Sequence, residues 1–215
     1  QWYVNGTPSG TGATYSSATL NDGDQVTVEM TSSESCASPT TATSTPINMT
    51  VNPVLVPAVS VAASATTICA GTNVTFTPTP TNGGTPSYQW YVNGTPAGTG
   101  ATYSSTTLND GDQVTCEMTS SETCASPATA TSTPVTMTVN PTLVPAVSVA
   151  ASATTICAGT NVTFTPAPTN GGTPSYQWFV NGAPSGTGAT FSSTTLNNGD
   201  QVTCEMTSSE TCASP

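Results

Sequence analysis

The chain has 215 residues with no Lys, Arg or His, and its eleven Asp and Glu give a net charge of −11. Ion pairs between side chains are excluded, and a surface without cations neither neutralises phosphates nor is drawn to anionic lipid, which argues against nucleic acid as a partner. No apolar run approaches the roughly 20 residues that span a bilayer as a helix, so direct membrane insertion is not expected.

QWYVNGTP at Gln1 returns at Gln89 and, as QWFVNGAP, at Gln177, a period of 88 residues. Residues 57–127 and 145–215 differ at six places: Thr79/Ala167, Tyr91/Phe179, Thr95/Ala183, Ala97/Ser185, Tyr103/Phe191 and Asp110/Asn198. The period divides the chain into 1–56, the C-terminal part of one repeat; 57–144, a complete repeat; and 145–215, a repeat that stops before its last strand. Because the chain starts and stops out of phase, the natural protein is expected to continue at both ends.

Within one repeat, in chain order, short runs of alternating apolar residues are separated by Gly, Pro, Asn and Asp, the pattern of half-buried strands. Val59 and Val61 mark a first strand, Val74 and Phe76 a second, and Tyr88, Trp90 and Val92 a third. Asn93-Gly94 then predicts a type I′ hairpin turn, in which both central residues need positive φ. Tyr103 and Leu108 are assigned to a further strand, Asn109 to Asp112 to a turn, and Val114, Cys116 and Met118 to an inward-facing alternation. Val135, Met137 and Val139 close the unit, and Pro141 and Pro145 stiffen a short linker. About seven short strands per repeat, none with helical period, predict an all-β sandwich.

Trp2, Trp90 and Trp178 alternate with apolar neighbours and are expected in the core of each copy. Asp110 and Asp112 have the spacing of hard-cation ligands and are weak calcium candidates, but Asn and Asp beside Gly are also what a strand-joining turn needs. The third copy carries Asn198 in place of Asp110, and no His exists to act as a base, so no catalytic residues and no cofactor are expected. Cys116 and Cys204 lie on the inward face of their strand, where the first copy has Val28, and are read as free thiols acting as small apolar side chains.

The stretch ICAGTNVTFTPTPTNGGTPSYQWYVNG, followed by TLNDGDQVTCEMTSSETCASP, resembles the immunoglobulin-like and PKD-like repeats of giant Bacteroidota surface proteins, including gliding-associated adhesins. The resemblance covers the whole repeat, and it implies tandem immunoglobulin-like β-sandwiches that act as extracellular spacers. In immunoglobulin topology the loop before the second strand, with Cys69 and Cys157, and the loop after the later Cys-bearing strand, with Cys36, Cys124 and Cys212, lie at opposite ends of the sandwich. A strand of about six residues separates those ends by about 20 Å, while a disulfide needs Cα atoms within about 7 Å. Pairing Cys69 with Cys124 inside one repeat would demand another topology. A head-to-tail array instead brings Cys69 toward Cys212 and leaves Cys36, Cys124 and Cys157 to partners outside this stretch of chain.

Seven Cys at repeated positions, without metal-site spacing, suit an oxidising compartment. The expected function is a structural repeat of an extracellular fibre or adhesin stalk, not an enzyme, supplying length, stiffness and protease resistance. Its partners would be neighbouring repeats of the same protein and identical chains in a fibre. The alternative is a repeated adhesive module that binds a glycan or a surface through loops such as Asn82-Gly83-Gly84, since repetition also rewards avidity.

Overall fold

The computed structural model describes residues 1–214 and is all-β, with twenty-one strands among the described residues. The chain divides into two compact units, one of residues 1–58, 81–86 and 119–130 and one of residues 59–80, 87–118 and 131–215.

The second unit holds the most complete sandwich. One sheet runs in the order Thr95–Gly98, Ser87–Val92, Gln113–Thr119, Thr129–Thr131, with Val135–Thr136 also pairing with Gln113–Thr119. The facing sheet runs Tyr103–Ser105, Val74–Thr81, Ala58–Ala63. Between them Phe76, Trp90, Val74, Val114 and Cys116 are fully buried, with Ile68, Leu108 and Met137 sealing the edges. Phe76, Trp90 and Tyr103 form an aromatic cluster with ring centroids 5.9 to 6.4 Å apart. The Trp90 indole N–H, which would be costly to bury unpaired, donates to the Gly100 carbonyl at 2.9 Å.

The closing segment differs from the single strand expected. Val135–Thr136 pairs antiparallel with Gln113–Thr119, whereas Thr138–Asn140 pairs in parallel with Thr67–Cys69. The two halves meet at Met137, whose N–H donates to the Asp112 carbonyl and whose carbonyl accepts from Gly111. The chain passes there from the sheet of Gln113–Thr119 to a separate two-stranded sheet with Thr67–Cys69, and the Met137 side chain is buried at the turnover. Leu108, assigned above to a strand, is buried but lies in a loop. The Ser105 hydroxyl accepts from the Thr107 N–H and turns the chain after Ser105.

Residues 145–214 repeat this arrangement with two three-stranded sheets. These are Ala146–Ala151, Val162–Thr169, Phe191–Ser193, and Ala183–Gly186, Ser175–Val180, Val202–Thr207. In the first unit, Thr7–Gly10, Trp2–Val4, Gln25–Thr31 and Thr41–Thr43 form a sheet with Ile47–Asn48 on the Gln25–Thr31 strand. Trp90 and Trp178 are fully buried, but Trp2, expected in a core, is only half-buried. Among the described residues no strand equivalent to Val74–Thr81 faces the sheet of residues 2–48, so no ring equivalent to Phe76 covers the indole.

Candidate inter-repeat junction

Cys69 and Cys212 are joined in a disulfide with their Cα atoms 5.5 Å apart, inside the range that a bridge requires. Local pairing explains how two residues 143 positions apart meet. Asn140 is the ladder partner of Cys69, and its carbonyl accepts from the Ala70 N–H at 2.9 Å. Three residues further along, Leu143 forms a parallel bridge with Ala213, donating to the Cys212 carbonyl and accepting from Ser214, both at 2.9 Å. The short linker of Pro141 to Val144 thus carries the chain from the flank of one cysteine to the flank of the other.

A second contact fixes the end of the linker. The Asn170 side chain donates to the Val144 carbonyl at 2.9 Å, and the Ser208 hydroxyl donates to the Asn170 carbonyl at 2.7 Å. Asn170 has a φ of 52° and Gly172 a φ of 63°. A Cβ at Gly172 would come within 2.6 Å of the Ser209 hydroxyl, so both conformation and space call for glycine there.

The first unit contains the same set one period earlier. Leu55 donates to the Cys124 carbonyl and accepts from Ser126, the Asn82 side chain donates to the Val56 carbonyl, and the Ser120 hydroxyl donates to the Asn82 carbonyl. Asn82-Gly83-Gly84, considered above as an exposed recognition loop, therefore has its Asn side chain engaged by the linker. Its recurrence at Asn170, with a Ser-Ser-Glu at the same distance further along in both copies, is the sequence signal that could have pointed to this role.

Cys124 occupies the place of Cys212 one period earlier and is a half-buried free thiol. Cys36 and Cys157 are free and exposed. Cys116 is free and buried, its backbone N–H donating to the Ser132 hydroxyl at 3.0 Å. Burial, aided by the Glu117 charge, pushes its thiol pKa up to about 11. Burial also raises the pKa of half-buried Cys204.

Asp112 and Asp110 serve the turn and the strand beside it. One Asp112 carboxylate oxygen accepts from the Asn109 N–H and the other from the Asn93 side chain, each at 2.8 Å. The Asn109 backbone bond, followed by the Asn93 side chain, holds the Asp112 carboxyl below its usual pKa. Asp24 and Asp200 are lowered by the same arrangement, with Asn21 and Asn5, and with Asn197 and Asn181. Asp110 accepts from the Val139 N–H at 3.0 Å and so pins the closing strand. Among the described residues no cluster of three or more His, Cys, Asp or Glu is placed to hold a metal.

Two packed antiparallel sheets around a buried Trp, linked end to end by a strand-like connection, define an immunoglobulin-like repeat. Residues 57–141 match the profile of the family described as Ig-like domain CHU_C associated, in agreement with the resemblance drawn from the sequence. The chain matches no curated protein.

Proposed function

We propose that this chain is a structural stretch of an extracellular stalk or fibre, in which each immunoglobulin-like repeat is locked to the next. The reading is carried by the junction: a disulfide and two backbone hydrogen bonds tie the linker and its flanking loops, so rotation about the linker would break specific bonds. A covalent bridge between Cys69 and Cys212 suits an oxidising, extracellular setting. The absence of Lys and Arg leaves no tryptic site, which suits exposure to proteases. Neighbouring repeats are the principal partners in this reading, and no reaction is assigned to the chain.

The test is the spread of distances between spin labels placed on residues 57–144 and on residues 145–214. The native chain should give a narrow distribution and a Cys69→Ser, Cys212→Ser double variant a markedly broader one. Equal widths would remove stiffening as the role of the bridge. Saturable binding on a glycan array would favour the adhesive alternative instead.

A further inference from the structure

Cys69 and Cys212 are 143 positions apart in sequence, yet their Cα atoms are 5.5 Å apart, so the bridge closes a loop that holds nearly all of two sandwiches. Inside the loop lie Val74–Thr81, Ser87–Val92 and Gln113–Thr119 of one sandwich and Val162–Thr169, Ser175–Val180 and Val202–Thr207 of the next. The buried Phe76, Trp90 and Trp178 side chains lie inside it too. Between the preceding linker and the bridge stand only Ala58–Ala63 and Thr67–Cys69. Ala58–Ala63 is an edge strand, laddered to Val74–Thr81 alone.

When a chain is pulled, tension follows the shortest taut path. From Cys69 onward two paths lead to Cys212: the long folded backbone of the loop, and the short covalent one through the two sulfurs. Force that reaches Cys69 therefore crosses to Cys212 without passing through either core, and the hydrogen-bonded ladders inside the loop are relieved of it. Each of those hydrogen bonds is a small net contribution that water readily replaces, whereas the sulfur–sulfur bond is covalent. The bridge is also sheltered, because Cys212 is 8% exposed and thiol–disulfide exchange needs access to a sulfur.

We propose that the Cys69–Cys212 bridge is a tension bypass: it keeps the cores of two successive repeats out of the load path and caps how far the chain can be drawn out. This rests on the stalk reading, because a stalk is loaded along its length. It is a separate property from stiffening, which concerns bending and rotation at the linker. With the bridge intact, tension arriving from the preceding linker frees at most the Ala58–Ala63 strand and the turn after it, about 40 Å of chain, before it meets Cys69.

Single-molecule force spectroscopy tests this on the whole chain, held by tags at its two ends, with the exposed free thiols alkylated. Fully drawn out, the oxidised chain should be about 500 Å shorter than the same chain with dithiothreitol in the buffer, the length of the 143 residues that the bridge withholds. Its trace should also lack the rupture steps that the two sandwiches give once the bridge is reduced. A Cys69→Ser, Cys212→Ser double variant should reach the longer length without reductant, whether or not it folds. Equal lengths with and without dithiothreitol would overturn the proposal. So would a difference of about 200 Å, which would put the bridge between Cys69 and Cys124 within one repeat. The length difference does not depend on how freely the linker bends, so a broad spin-label distribution in the native chain would remove stiffening and leave the bypass standing.

Discussion

Residues 57–127 and 145–215 share all but six positions, yet their cores are not equally dry. Phe76, Val114 and Cys116 are fully buried and Ile68 and Leu108 nearly so, while Phe164, Val202, Cys204, Ile156 and Leu196 are each half-buried. The substitutions do not account for this, because the inward aromatic survives in Tyr103/Phe191 and the other exchanges avoid the core. What differs is the closing segment: Thr129–Asn140 covers the first group, and no described strand covers the second. Burial of these shared residues therefore follows whether a closing segment lies beside them, as Thr129–Asn140 does for the first group.

The largest test of that contrast is a pair of truncations. Phe76→Ala should cost about 4 kcal/mol, as removal of a fully buried ring does, whereas Phe164→Ala should cost about half as much, because water already reaches its site. Native-state hydrogen exchange, read separately on the Ser87–Val92 and Ser175–Val180 strands, would measure both, and equal losses would break the comparison. Thiol chemistry gives a finer reading of the same difference. In the folded chain without reductant, alkylation should label Cys36 and Cys157 first, Cys204 later and Cys116 last. With a thiol pKa of about 11, Cys116 is ionised to roughly one part in a thousand at pH 8. Labelling of Cys116 as fast as Cys204 would show that the closing segment does not shield it.

The smallest expected effect is on acid stability, and it should be alike in all three copies. Asp24, Asp112 and Asp200 have folded pKa values below their usual 3.8. Their contribution is present above that value and is lost as the pH falls through the lower folded value. A melting temperature followed from about pH 5 downward should therefore drop below pH 4. Asp112→Asn should flatten part of that drop, and an unchanged slope would detach the turn from acid stability. All three residues are only half-buried, so solvent screening keeps the effect modest.

Much of the fold was legible in the chain because its signals are local. Alternation of Val114, Cys116 and Met118, the Asn93-Gly94 hairpin and the turn at Gly111 depend on neighbours a few residues away, and the structure has all three. The strand assigned through Leu108 was not legible, since a loop leucine packed against a core has the same composition as a strand leucine. The split at Met137 was equally hidden, because a change of sheet leaves no mark on period-two alternation.

The sequence alone determined the repeat, its length, the all-β class and the positions where turns must fall, for these rest on identity and local backbone preference. The pairing of Cys69 with Cys212 was an expectation from repeat geometry, but its setting was decided by tertiary contacts. Asn140 lies beside Cys69, Leu143 beside Ala213, and the Asn170 side chain on Val144. These contacts join residues far apart in the chain, so no local pattern announces them.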